Sequence, residues 1–107
     1  MPKYYSGKAD TVTPNLTPIK AIKKFIIIFD IKLTESPPIY YAWNPKRQPK
    51  WIETRYGWIP EKPYFTVDYD NKNREWYVGY IVTPEDRKFA TIDDITGRVD
   101  IKNVDHK

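Results

Sequence analysis

The sequence predicts an α+β fold: one N-terminal amphipathic helix packed on an antiparallel β-sheet meander of four or more strands. Three observations support this class. An apolar series with helical spacing lies near the N-terminus, and short aromatic and β-branched segments separated by turn residues follow it. The length of 107 residues is that of one domain. We therefore expect an irregular N-terminal arm over residues 1–15 and a single domain over residues 16–107.

The helix is expected to begin at Thr17 and Pro18, because Thr is a preferred N-cap and Pro at the first helical position sacrifices no hydrogen bond. Apolar residues then recur at steps of three and four, and polar residues occupy the other side. The apolar stripe consists of Ile19, Ile22, Ile26, Phe29 and Leu33, and the polar side of Lys20, Lys23, Lys24 and Asp30. This spacing predicts about four turns. The β-branched run over residues 25–31 leaves a strand as the alternative for the second half.

Six strands are predicted after Pro37 and Pro38, which end the helical region. They lie near residues 39–43, 51–56, 64–69, 75–82, 88–92 and 98–101. The last four are better defined because polar turns join them, at residues 70–73, 83–86 and 96–97. The segment over residues 75–82 is apolar on both faces, which predicts a central strand or a face that lies open as a binding surface.

The composition is that of a folded, aromatic-rich protein. Aromatic residues make up 16% of the chain, including nine Tyr and four Trp, and disordered chains rarely carry so many. Cysteine is absent, which excludes disulfides, thiolate metal sites and cysteine nucleophiles. The longest apolar run, residues 25–29, is too short for a membrane span, so none is expected. The chain as written suggests a cytoplasmic protein, and an extracellular or cell-envelope location is the alternative if a signal peptide has been removed.

The net charge of +4 is unevenly distributed along the chain. Residues 1–56 carry ten Lys or Arg and four acidic residues, whereas residues 57–107 carry eight and ten. A basic half of this kind attracts nucleic acid, an acidic protein face or an anionic membrane surface. A solvated Lys-rich surface is the alternative interpretation.

Three short motifs in the second half resemble the PepSY family. They are Trp76-Tyr77-Val78, Phe89-Ala90-Thr91-Ile92-Asp93 and Thr96-Gly97-Arg98-Val99, which are similar to that family's W-x-V strand, its aromatic-rich strand ending in V/I-D and its T-G-x-V turn. The resemblance covers Glu75 to Ile101, and the helical region from Leu16 occupies the place of the family's helix. It implies a cystatin-like helix-plus-sheet fold in a non-catalytic module that inhibits or regulates peptidases. The Pro- and Trp-rich segment over residues 39–63 departs from the family pattern.

Groups suited to catalysis at neutral pH are scarce, and we expect no enzymatic activity. The single histidine, His106, lies next to the C-terminus and is expected to be a solvated tail residue. Asp93 and Asp94 are adjacent, so in a strand they would point to opposite faces, and we expect them to shape the turn before Thr96. The oxygen-rich segment over residues 68–73 lacks EF-hand spacing and is interpreted as a hairpin turn. No metal site and no cofactor are therefore predicted.

Candidate binding residues are concentrated in the Pro- and Trp-rich segment. The expected anchors for a protein or peptide partner are Trp43, Trp51, Tyr56 and Trp58, and the candidate phosphate-contacting residues are Lys46, Arg47, Lys50 and Arg55. Cations between indole rings can contact phosphates while bases stack on the rings. A loop whose tryptophans pack on the sheet is the alternative.

The leading hypothesis from the sequence is a non-catalytic protein- or peptide-interaction module that acts through its sheet and this segment. One alternative is a small basic nucleic-acid-binding protein of a virus or mobile element, whose affinity would fall steeply with salt. The other is a structural subunit of a filament or coat, which would form homo-oligomers.

Overall fold

The computed structural model describes residues 13–102. Most of the predicted N-terminal arm, and the C-terminal residues that include His106, lie outside the described residues. The described part contains one helix, α1 (Pro18–Phe29), followed by seven strands. The strands are β1 (Ile39–Tyr41), β2 (Trp51–Thr54), β3 (Gly57–Pro60), β4 (Tyr64–Asp70), β5 (Glu75–Ile81), β6 (Arg87–Asp93) and β7 (Val99–Ile101).

Five strands form one sheet in the order β1-β4-β5-β6-β7, and β2 pairs with β3 in a separate two-stranded ribbon. Strands β4 to β7 form an antiparallel meander, as predicted. Strand β1 joins this meander in parallel to β4, because the chain returns through the β2–β3 hairpin before β4 begins. The helix packs against β4, β5, β6 and β7 on one face of the sheet. The predicted α+β class is confirmed.

The start of α1 follows the local chemistry of Thr17 and Pro18. The Thr17 backbone is extended, and its hydroxyl accepts the Lys20 amide at 3.1 Å, which satisfies one of the amides that the first turn leaves unpaired. The buried side of the helix consists of Pro18, Ala21, Ile22 and Phe25. These residues meet a sheet layer built from Phe65, Val67, Tyr69, Trp76, Val78, Ala90 and Ile92.

Two members of the predicted apolar stripe lie outside the core. Ile19 is 45% exposed and Leu33, beyond the end of the helix, is also exposed, whereas Phe25 is fully buried. The prediction placed Ile19 on the buried side of the helix, whereas the buried side passes through Phe25. Apolar residues cover much of this helix, so their spacing alone does not reveal which side faces the sheet. The correct stripe passes through Phe25.

The helix ends at Phe29, about one turn earlier than predicted. Asp30 adopts the left-handed conformation with φ 53°, and its amide bonds to the Ile27 carbonyl at 3.1 Å. The Ile31 amide bonds to the Ile26 carbonyl at 3.0 Å, and both side chains pack against the core. This is the Schellman ending with its usual apolar contact. The strand alternative for this region is not observed.

All six predicted strand regions contain a strand, and β3 was not predicted. The sequence Gly57-Trp58-Ile59-Pro60 is short and bounded by Gly and Pro, so it lacks a strand signal. A two-residue turn at Arg55 and Tyr56 returns the chain, and Gly57 takes φ 114°. The Thr54 hydroxyl secures that turn by donating to the Gly57 carbonyl at 2.7 Å. Within residues 13–102, no helix has the length and apolar character needed to cross a membrane.

Candidate functional site

The sheet face opposite α1, which we call the open face, brings four side-chain positions into one row. Strand register places Tyr40 of β1 beside Thr66 of β4, Thr66 beside Gly79 of β5, and Gly79 beside Phe89 of β6. Aromatic rings therefore stand at both ends of the row, while small residues occupy its centre. The result is a shallow trough across four strands.

Gly79 makes room for the Phe89 ring, which covers the Gly79 position and forms one wall of the trough above Thr66. A Cβ atom at this position would lie 2.7 Å from Cε1 of Phe89 and 2.8 Å from the Thr66 hydroxyl oxygen. Both distances are shorter than real Cβ contacts, so only glycine lets the Phe89 ring lie across β5. An isolated glycine in an otherwise large apolar strand is the sequence signal for such a close approach.

The loop over residues 42–50, which we call the roof loop, folds back over the open face. Pro45, Arg47, Gln48 and Pro49 line the space between the loop and the sheet, a cleft of about 680 Å³. The Arg47 guanidinium lies 5.4 Å from the centre of the Tyr40 ring. The Gln48 side chain donates to the Pro45 carbonyl at 2.7 Å, which tightens the loop. The walls of the cleft are thus mainly aromatic and prolyl side chains.

One end of the cleft is acidic. Asp68 and Tyr77 are paired across β4 and β5, in the row next to Thr66 and Gly79. The Tyr77 hydroxyl donates to Glu75 at 3.2 Å. Partial burial and the nearby charges of Glu75, Asp70 and Asp68 raise the pKa of Tyr77 above its ordinary value. Burial is the largest cause of this shift in pKa, and the three carboxylates add to it because they place negative charge near the Tyr77 hydroxyl.

The other end of the cleft is basic. Arg47, Lys50 and Lys62 line a smaller cavity of about 270 Å³ beside Tyr40 and Tyr64, together with one acidic residue, Glu61. The Tyr40 and Tyr64 rings meet edge to face with centroids 5.5 Å apart. The cleft therefore has an apolar centre, with Asp68 at one end, Arg47 at the other and Lys102 beside Phe89.

The structure separates the predicted aromatic anchors. Trp43 stacks on Tyr41 with centroids 4.9 Å apart and packs edge-on against Trp76, so it belongs to the helix side of the sheet. Trp51 is half-buried, and its ring meets the Tyr64 ring at 6.4 Å. Tyr56 and Trp58 lie on the β2–β3 ribbon, where they are 88% and 56% exposed.

The predicted phosphate-contacting residues are separated in a similar way. Lys46, Arg47 and Lys50 belong to the roof loop, and of these Arg47 contacts the Tyr40 ring. Arg55 lies in the turn of the β2–β3 ribbon, with its guanidinium 5.8 Å from the centre of the Tyr56 ring. The four cations are therefore divided between the loop and the far end of β2.

A buried carboxylate missed by the sequence reasoning anchors the end of the sheet near the helix. Asp94 is 2% exposed, and it accepts the backbone amides of Asn15 at 2.7 Å and Leu16 at 2.8 Å. It also accepts the Trp76 indole N–H at 3.1 Å and the Tyr69 hydroxyl at 3.2 Å. These four bonds tie the segment before α1 to the sheet.

The two adjacent aspartates thus have different roles. Asp93 accepts the amides of Ile95 and Thr96, and these bonds hold its pKa below the ordinary value, so its predicted role in the turn is confirmed. The same prediction was wrong for Asp94, because its carboxylate points into the core instead. Burial, followed by the charge of Asp94 and the hydrogen bond to it, raises the pKa of Tyr69 to about 12. A buried indole and phenol on one face require an acceptor, which is the signal that could have identified Asp94.

The oxygen-rich turn between β4 and β5 uses its carboxylate internally. Asp70 accepts the amides of Lys72 and Asn73 and the side-chain amide of Asn73. Burial alone would raise the pKa of Asp70, but these hydrogen bonds lower it overall. In residues 13–102, no three His, Asp or Glu side chains are grouped as a metal site would require.

Comparison of the chain with protein-family models, with curated proteins and with solved structures gave no match. The motifs of the PepSY resemblance lie on β5, on β6 and in the β6–β7 turn. The resemblance itself stays a prediction.

Proposed function

We propose that this protein is a non-catalytic peptide-binding module and that the cleft under the roof loop holds the peptide. The observation that carries the proposal is the cleft: its volume of about 680 Å³ lies in the range of ligand sites. Its floor belongs to paired strands, so the lining side chains are held in fixed positions. Tyr40, Tyr64 and Phe89 supply aromatic surface, the type of surface that contributes most to peptide and protein recognition.

The carboxylates at one end of the cleft favour a peptide over a nucleic acid there, although the cleft lining also includes Arg47 and Lys102. Asp68, Asp70 and Glu75 surround the Tyr77 hydroxyl at one end, and they would repel a phosphate backbone. The resemblance to PepSY domains supports the same conclusion, because it implies a non-catalytic module. Inhibition or regulation of a peptidase through such binding is part of this proposal.

Selection of peptides from a displayed random library, followed by fluorescence anisotropy with the selected peptides, tests the proposal. Phe89→Ala removes one wall of the cleft and should weaken binding about 30-fold, the effect of losing about 2 kcal/mol at a central aromatic contact. Tyr56→Ala removes an aromatic ring that is 88% exposed on the ribbon, and binding should not change.

Thermal unfolding of each variant separates loss of binding from loss of fold, and Phe89→Leu provides a milder version of the same change. The proposal fails if folded Phe89→Ala binds the selected peptides as well as the wild type does. It also fails if only the ribbon substitution reduces binding.

The β2–β3 ribbon supports a second candidate function, binding of single-stranded nucleic acid. It presents Trp58 and Tyr56 with the Arg55 guanidinium above the Tyr56 ring, a combination that stacks bases and attracts phosphates. The measurement is oligonucleotide binding at about 50 mM and about 200 mM salt, with Trp58→Ala as the variant. Absence of binding at the lower salt concentration eliminates this candidate.

A further inference from the structure

Three carboxylates lie at paired strand positions one row beyond Asp68 and Tyr77, outside the lining of the cleft. Asp70 of β4 stands opposite Glu75 of β5, and Glu75 stands opposite Asp93 of β6. Like charges directly opposite one another destabilise a sheet. Among residues 13–102, the ion pairs are Lys32–Asp30, Lys88–Asp86 and Lys102–Asp100, and Glu75 is in none of them. The charge of Lys72 acts on Asp70 and that of Arg98 on Asp93, and both aspartates also accept turn amides. Glu75 accepts the Tyr77 hydroxyl, so a cationic group bound beside it would add a favourable charge interaction.

The acidic end lies at a defined distance from the apolar trough. Thr66 and Asp68 are two residues apart on β4, as are Gly79 and Tyr77 on β5, so the trough and the acidic row are about 7 Å apart. An extended peptide also places side chains two positions apart on the same side, at about the same spacing. A peptide aligned with the strands therefore presents two such side chains to the two rows at once.

We infer that the cleft selects an extended peptide in which a large apolar side chain is separated by one residue from a Lys or Arg. The inference deepens the proposed function and depends on it. The apolar side chain occupies the space above Thr66, between Tyr40 and the Phe89 ring that covers Gly79. The basic side chain reaches Asp68 and Glu75 beside Tyr77. An acidic peptide or a nucleic acid would meet repulsion at the same carboxylates.

The sequences of the selected library peptides provide the first test. We expect enrichment of a large apolar residue with Lys or Arg two positions away. The best peptide is then synthesised with its basic residue intact, and again with Gln in that position. Against the wild-type protein, the Gln version should bind about five-fold more weakly, which corresponds to a coupling of about 1 kcal/mol for a partly exposed charge pair.

A variant carrying Asp68→Asn and Glu75→Gln should bind the two synthetic peptides equally. Asp86→Asn is the matched control, because Asp86 is an exposed aspartate paired with Lys88 and is absent from the cleft lining. In this control the five-fold preference should persist. Thermal unfolding verifies that each variant is folded.

The outcomes distinguish the inference from the function on which it depends. If the selected peptides show no basic preference, or keep it in the double variant, while Phe89→Ala still weakens binding as expected, the charge selectivity is wrong and the peptide site stands. If Phe89→Ala has no effect, both are wrong. Selection of acidic peptides would overturn the inference directly.

Discussion

Replacing Asp94 by Ala should lower the free energy of unfolding by about 3–5 kcal/mol. The buried carboxylate accepts hydrogen bonds from Asn15, Leu16, Tyr69 and Trp76. The two backbone amides can bond to water once the N-terminal segment detaches, so their loss costs little. The Tyr69 hydroxyl and the Trp76 indole N–H lose the carboxylate that accepts them, and each hydrogen bond to a charged group contributes about 1.5–3 kcal/mol.

Urea and thermal unfolding followed by tryptophan fluorescence measure this loss, because the Trp76 indole contacts the carboxylate. The expected decrease in melting temperature is about 15–30 °C for a domain of this size. Asp93→Asn is the control at the adjacent position, where the carboxylate accepts the exposed turn amides of Ile95 and Thr96, and its effect should be clearly smaller. A loss below about 1 kcal/mol for Asp94→Ala would refute the reasoning.

Three further predictions concern other parts of the fold. Gly79→Ala should lower the free energy of unfolding by about 1–3 kcal/mol, because the added methyl group overpacks against Phe89. Urea unfolding should show a smaller effect of Gly79→Ala when Phe89→Ala is also present, and an equal effect would contradict the contact. Burial raises the pKa of Tyr69 to about 12 from 10.0. The contribution of Tyr69 to the free energy of unfolding should therefore be fully present below about pH 10 and be lost as the pH rises to about 12. Urea unfolding at a series of pH values should show a smaller loss of stability over this range for Tyr69→Phe, and an equal loss in the variant would contradict the role of Tyr69. Thr17→Ala should cost about 1 kcal/mol through loss of the N-cap, and thermal unfolding that matches the wild type would argue against the cap.

The sequence predicted those parts of the fold that depend on local chemistry. Thr17 and Pro18 mark the start of α1, and the polar turns between β4, β5, β6 and β7 are visible as clusters of Asn, Asp, Pro and Gly. The end of α1 was harder to locate, because Asp30 adopts a left-handed conformation in which glycine is the usual residue. Strand β3 was missed because its strand character comes from pairing with β2 and not from its own composition.

The cleft could not be predicted, because it depends on strand register. Tyr40 and Phe89 are far apart in the chain. The pairing of β1 with β4, of β4 with β5 and of β5 with β6 places them in one row across the sheet. The sequence placed the candidate binding residues in the segment that contains the roof loop, and their assignment as anchors stays a prediction. Asp94 was missed for the same reason: its donors lie on β4, β5 and the segment before α1.

The tryptophans of the roof loop have a role that follows from where the structure places them. Trp43, at the start of the loop, packs against Tyr41 and Trp76, and Trp51, just after its end, packs against Tyr64. Each indole buries a large apolar surface, so both ends of the loop are fixed to the sheet. In the proposed peptide complex, a loop fixed at both ends would lose less conformational entropy on binding. Trp43 and Trp51 therefore follow the alternative interpretation in which the tryptophans of the segment pack on the sheet, whereas Trp58 is exposed on the ribbon.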